Sequence, residues 1–286
     1  MTEQERRFDG IPADLLEALR RLARTSELTV ALDFDGVLAP LVDRPSEARS
    51  RPESEQAIRE LVALKATKVA LVSGRALESL RTVSGSPENV LLIGSHGAEY
   101  DLGDGRVGAA MTAEERRALS ELEHAVLGVV SRHPDVRVEQ KPTGYALHTR
   151  GLPHDVAQQA QRDASRSIGN AVPGVTSRAG KDVLEFSVVR STKGDAMQRL
   201  RLHTAATSML YAGDDVTDED AFAALEPGDV AVKVGQGSSV APFRVRSTED
   251  VSQMLRLLAG ARRNHLLGVA ASARVARASS VGFGGE

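Results

Sequence analysis

The chain has no cysteine and no tryptophan, and aromatic residues make up 3% of it. Without thiols there is no disulfide, no cysteine nucleophile and no zinc–thiolate centre. So few aromatic rings leave little from which to build a base-stacking surface or an aromatic floor beneath a sugar. Any bound sugar is expected to be held through its hydroxyls and charged substituents. Excess basic charge is lacking too: a formal net charge of −3 and a pI near 6.2 argue against nucleic acid as a partner. No apolar run is long enough to span a bilayer, and the start, Met1 to Arg7, is polar rather than signal-like. A cytoplasmic protein with no membrane partner is therefore expected.

What is present is a chain of 286 residues, 41% hydrophobic and 26% charged, ample for one large domain or two modest ones. Its most informative segment is Leu28-Thr-Val-Ala-Leu-Asp33-Phe-Asp35-Gly36. The short apolar run predicts a buried strand. Asp33 and Asp35 follow at alternate positions, on the same side of the chain, and Gly36 permits a sharp turn. Carboxylates at the carboxyl end of such a strand stand where parallel α/β sheets build their sites.

The pattern strand–helix–strand–helix–strand extends to about residue 94: a helix over 11–25, the first strand, a helix near 53–64, a strand over 68–72, a helix over 76–83 and a strand over 90–93. This predicts a parallel sheet covered by helices. The pattern then changes. Asp104-Gly105 reads as a hairpin turn. Thr112 with Glu115 makes a capping box opening a helix to about 131. Strands at 135–140 and 144–149, a helix over 153–168 and strands at 174–179 and 182–189 follow. The first pattern resumes near 191, with a strand at 208–211, another at 229–234 and a last helix over 248–259. We expect an α/β core of residues 1–103 and 189–260, an inserted α+β unit over 104–188, and a flexible tail, 261–286, whose arginines at 262, 263, 274 and 277 are solvated.

Asp214, Asp215 and Asp218 follow the strand at 208–211. In a parallel sheet they arrive at the same edge as Asp33, and four or five carboxylates there need a cation. Hard oxygen ligands favour Mg²⁺. An ionised Asp33 suits attack on phosphorus, and Asp35, with negative charge expected nearby, suits protonation of the leaving alkoxide and deprotonation of water. Ser73 and the backbone of Gly74, at a helix entry, offer hydrogen bonds to phosphate oxygens. Lys193, beside the candidate cap Thr192, offers positive charge. Each piece alone has a plainer reading. Asp-x-Asp-Gly also occurs in calcium loops, but here the twelfth position is Arg44 rather than glutamate. Acidic residues at 218–220 suit any helix start. His96 reads as an ordinary hydrogen-bonded histidine or a hinge.

Taken in order, DFDG, SGR, TKGDA and GDDVTDED resemble the four motifs of haloacid dehalogenase-superfamily phosphatases. The longer strings LDFDGVLAPLVDRP, LVSGR, IGSHGAEY, the run from Lys141 to Arg150, GKDVLEF and YAGDDVTDEDAF resemble the trehalose-6-phosphate phosphatase family over about residues 28–235. That resemblance implies a Rossmann-like core with an inserted α+β cap, and hydrolysis of trehalose 6-phosphate in trehalose biosynthesis, downstream of a trehalose-6-phosphate synthase. It makes Asp33 the nucleophile and a Mg²⁺ ligand. Asp35 becomes the acid/base, lending its carbonyl to the metal, and Asp214 the third ligand, supported by Asp215 or Asp218. Ser73, Gly74 and Lys193 would bind the phosphoryl group. Lys141, His148, Arg150, Lys181 and Glu185 would read the sugar. Val37, Thr149 and Ser187-Val188 depart from the family's commoner residues. Alternatives are a sucrose-6-phosphate phosphatase or phosphomannomutase-like enzyme, and a non-catalytic regulator that binds Mg²⁺ and a phosphosugar.

Overall fold

The computed structural model describes residues 10–85, 87–103, 107–108, 111–180 and 182–281, with backbone alone at 107–108 and 273–281. Along the chain run α1 (Ala13–Leu22), β1 (Leu28–Leu32), α2 (Pro52–Val62), β2 (Thr67–Val72), α3 (Leu77–Ser84), β3 (Val90–Gly94), β4 (Glu99–Asp101) and β5 (Val107–Gly108). Then come α4 (Ala113–Arg132), β6 (Arg137–Lys141), β7 (Gly144–His148), α5 (His154–Ala171), β8 (Thr176–Gly180) and β9 (Val183–Ser187). The chain closes with α6 (Lys193–Thr204), β10 (Ser208–Gly213), α7 (Asp218–Ala223), β11 (Val230–Val234), β12 (Phe243–Val245) and α8 (Thr248–Val281).

Every residue of β1 is buried, as a strand covered on both faces requires. It is central in a sheet of order β12-β11-β10-β1-β2-β3-β4-β5, with the pairs from β12 to β3 parallel. Register fixes what meets at the carboxyl edge. Leu32 lies between Ala212 and Leu71, so Asp33, Gly213 and Val72 come next in line. Two helix groups cover the sheet: α1 and α2 against α8, and α6 against α7. In α1, Leu15, Ala18, Leu19 and Leu22 are buried at the spacing of one helical face.

The chain forms two compact units. One holds the residues up to Gly97, Asp101–Arg106 and those from Thr192 onward; the other holds Ala98–Tyr100 and Val107–Ser191. The second has its own antiparallel sheet, β6-β7-β9-β8. Tyr145, Leu147, Leu184 and Phe186 point to one face and pack with Leu122, Val126 and Val129 of α4 and Ala160, Ala164 and Ile168 of α5. By alternation and register the other face carries Glu139, Lys141, His148, Arg178 and Glu185. The capping box opens α4 as expected: Glu115 N–H donates to Thr112 Oγ1 at 3.1 Å, and Thr112 N–H to Glu115 Oε2 at 2.7 Å. The Asp104-Gly105 turn lies outside the described residues.

The end of the chain differs from expectation. Helix α8 does not stop near 259 but runs to Val281, and Arg262 is fully buried. Its guanidinium donates to the main-chain oxygens of Ala23 (3.2 Å), Thr25, Ser26 (3.2 Å) and Ala66 (2.7 Å), and to Thr67 Oγ1 (3.2 Å). Arg263 pairs with Glu60 at 2.6 Å. The physical reason is that Arg262 is held by bonds to distant turns and Arg263 by an ion pair to α2, not by an apolar stripe, so periodicity gives no warning. The side chains of Arg274 and Arg277 are not among those described. The short strand β12 was also not foreseen; at three residues it is below what alternation detects. Among the described residues no helix is long and apolar enough to cross a membrane.

Candidate active site

The site forms at the carboxyl edge of the parallel sheet. Asp33 N–H continues the ladder to Ala212 O at 2.9 Å, which fixes the residue just past β1. Its carboxylate accepts Phe34 N–H at 2.6 Å on Oδ1 and Lys193 Nζ at 2.8 Å on Oδ2. Lys193, 2% exposed, also donates to Asp218 Oδ1 at 2.6 Å. It is positioned by the start of α6, where Thr192 caps Asp195 N–H at 3.2 Å and Asp195 Oδ2 accepts Thr192 N–H at 2.8 Å. Asp218, fully buried, further accepts Tyr211 OH at 2.6 Å and Asp215 N–H at 2.8 Å. Tyr211 is braced edge-on by Phe222, ring centroids 5.6 Å apart.

Carboxylate oxygens of Asp33, Asp214 and Asp218 lie within 4.8 Å of one another. Gly36 makes room for this. At φ +75° it adopts a left-handed turn, and a Cβ there would fall 2.1 Å from Asp214 Oδ2. Lys233 Nζ holds the main-chain oxygen of Asp214 at 2.5 Å. Asp215 is exposed and its carboxylate accepts Val216 N–H at 2.7 Å, outside the cluster. Of Asp215 and Asp218, it is Asp218 whose carboxylate belongs to the cluster.

Burial, set against Lys193 and reinforced by Asp218, pushes Asp33 up to about 7. Burial and Asp218 push Asp214 up to about 6. Burial works against the charge of Lys193, and its ion pairs to Asp33 and Asp218 outweigh that and raise its pKa. Three carboxylates around one lysine hold two negative charges in excess, with only hard oxygen donors. That donor set fits a divalent cation of the Mg²⁺ type.

A pH dependence follows. For a carboxyl whose folded pKa exceeds its unfolded value near 3.8, the stabilisation of the neutral form is complete below about pH 4 and is lost as pH rises through 6 to 7. Cation binding requires the ionised forms. The thermal shift given by saturating Mg²⁺ should therefore be small at pH 5 and grow to about 5–10 °C by pH 8. Differential scanning fluorimetry with and without the ion checks it; a shift that shrinks with pH would count against a metal at this cluster.

Asp35 is not beside the carboxylates, and its neighbour is a cation. Arg75 takes both of its oxygens, Nε to Oδ2 and NH2 to Oδ1, each at 2.6 Å. The same guanidinium lies 5.6 Å from the Phe34 ring centroid. Arg75 N–H donates to Ser73 Oγ at 3.2 Å, tying the serine to the arginine that holds Asp35. The sequence reading gave Arg75 no role, although it stands in the SGR turn.

In the inserted unit, Lys141 Nζ bonds Glu185 Oε1 at 2.5 Å and His148 Nε2 lies 2.8 Å from Glu139 Oε2. Arg150 is exposed just beyond β7. Lys181 lies outside the described residues. Glu139 was missed, though its spacing of two from Lys141 in a strand puts both on one face.

The sequence profile of the trehalose-phosphatase family matches residues 31–259, which contain every side chain of the candidate site. The chain belongs to that family, within the haloacid dehalogenase superfamily. It is 31% identical to the trehalose-phosphate phosphatase of Mycobacterium marinum over 268 residues, covering 86% of this chain and 66% of that protein. Against the trehalose-6-phosphate phosphatase of Escherichia coli it is 27% identical over 245 residues, covering 83% and 90%. The chain thus spans just under two thirds of that mycobacterial relative and nearly all of the shorter one. The C-terminal domain of Candida albicans trehalose-6-phosphate phosphatase superposes with a TM-score of 0.67 at 21% identity, covering 88% of this chain and 98% of that one. That likeness establishes the family's Rossmann-like core with an additional sheet unit.

Proposed function

We propose that this chain is a Mg²⁺-dependent phosphatase that hydrolyses trehalose 6-phosphate to trehalose and inorganic phosphate. The observation that carries the reading is the buried Asp33 carboxylate, gathered with Asp214 and Asp218 around Lys193 at the carboxyl edge of the sheet. A bound Mg²⁺ would supply charge neutralisation for the phosphoryl oxygens and be held by Asp33, Asp214 and Asp218.

Lys193 and the Phe34 N–H each hold one oxygen of Asp33, fixing the carboxylate that would attack phosphorus. The new bond to Asp33 forms as the bond to the sugar oxygen breaks, and the departing alkoxide takes a proton from Asp35. A water, deprotonated by Asp35, then cleaves the aspartyl-phosphate. Ser73 and the Gly74 amide receive phosphoryl oxygens. Since Arg75 occupies both Asp35 oxygens, that pair must open before Asp35 can hand over a proton.

For the sugar, the polar face of the second sheet offers Lys141, His148, Glu139 and Glu185, with Arg150 and Lys181 following in sequence. Charged groups and an imidazole that accept from and donate to hydroxyls suit a disaccharide in a chain so poor in aromatics. Where the substrate is made, a trehalose-6-phosphate synthase would precede this step.

A panel of sugar phosphates assayed with and without Mg²⁺ tests the reading. Trehalose 6-phosphate should give the highest kcat/KM by at least about tenfold, and chelation should remove the activity. Preference for sucrose 6-phosphate, or interconversion of mannose phosphates, would reassign the substrate. Tight binding of the phosphosugar with no turnover would make the chain a regulator.

A further inference from the structure

The turn after β3 departs from ordinary backbone. Ser95 (φ 47°) and His96 (φ 56°, ψ 29°) are consecutive non-glycine residues in the left-handed region. Side chains are disfavoured there, and such strain persists where the surroundings impose it. Here the surroundings are the SGR turn. Ser95 N–H donates to Arg75 O at 2.7 Å and His96 N–H to Ser73 O at 3.0 Å. The imidazole fills the space over Gly74: a Cβ on that glycine would fall 2.5 Å from His96 Cε1 and 2.6 Å from Nε2. Helix α6, which begins at Lys193, packs against residues 95–97. Ser73 and Arg75 therefore share one neighbour, and none of the roles assigned above includes it.

We propose that His96 is a positioning residue for the phosphoryl site. Its left-handed backbone and its ring together hold Ser73-Gly74-Arg75, so that the serine hydroxyl and the Gly74 amide converge on phosphate and Arg75 reaches Asp35. His96 touches no reacting atom. The inference rests on the phosphatase reading and deepens it. Were the backbone turn all that mattered, glycine would serve there with less strain. The ring against Gly74 is what glycine lacks.

The test uses His96→Gly and His96→Asn in the full chain with Mg²⁺. Glycine relieves the left-handed strain, so Tm should hold or rise by a degree or two. Affinity for inorganic phosphate, measured by calorimetry, should nevertheless weaken about tenfold, and KM should rise in step, the order expected when a site shifts by a fraction of an ångström. His96→Asn, which also tolerates the turn, should fall between glycine and wild type and carries the test if the glycine variant does not fold. Phosphate affinity and KM unchanged in a folded variant would overturn the proposal. So would a fall in Tm matched by a proportionate loss of active protein, with normal affinity in what remains. Failure of the wild type to hydrolyse any phosphate ester would sink the phosphatase reading instead.

Discussion

Asp33→Asn is expected to lower phosphate release by at least about 10⁴-fold while leaving the protein folded, the scale on which loss of a nucleophile is felt. The amide keeps the shape, but its single carbonyl oxygen can replace only one of the two acceptors, so either the Lys193 Nζ bond at 2.8 Å or the Phe34 N–H bond at 2.6 Å has a substitute. What it loses is the charge and the ability to form the acyl phosphate. The stability readout separates this from mere damage. Folding raises the Asp33 pKa, so above about pH 4 its ionised carboxylate detracts from metal-free stability, and the amide removes that cost. At pH 8 the variant should melt no lower than wild type without metal, yet gain much less from Mg²⁺. Steady-state assays with and without the ion, beside thermal melts, check both halves. Undiminished turnover would dispose of the covalent mechanism.

The second large effect falls far from the chemistry. Arg262→Met should destabilise the chain by about 3–5 kcal/mol, because buried carbonyls lose their donors and a methionine offers none. In a unit of this size that is on the order of 10 °C in Tm. Arg262→Lys should recover little, since one ammonium cannot reach the acceptors that a planar guanidinium serves at Ala23, Thr25, Ser26, Ala66 and Thr67. kcat/KM of the protein still folded at low temperature should match wild type. Calorimetric melts beside assays at 15 °C decide it, and a fall below about 2 °C would show the buried arginine to be dispensable.

Much of the site was legible because its parts are local. A buried strand, two alternating acids and a glycine fit within nine residues, and the parallel pattern already placed 33, 73, 193 and 214 at strand or helix ends. What eluded the sequence is set by contacts across the chain. Whether Asp215 or Asp218 joins the cluster depends on which side chain faces inward at the start of α7: Asp218 does, while the Asp215 carboxylate turns to the Val216 N–H. Lys193 read as a phosphate ligand; its bonds to two carboxylates are a tertiary matter. Arg75 had no signature of its own, because its partner lies forty residues earlier. Glu139 was within reach, had strand alternation been applied to the residue two before Lys141.

The guanidinium of residue 262 gathers turns that lie beneath the amino ends of β1 and β2, whereas every group proposed for the reaction stands at the strands' opposite ends. Foundation and workplace are thus on different floors. Exchanging one phosphorylated sugar for another would leave that footing untouched, and a descendant chain could change what it accepts without weakening what it stands on.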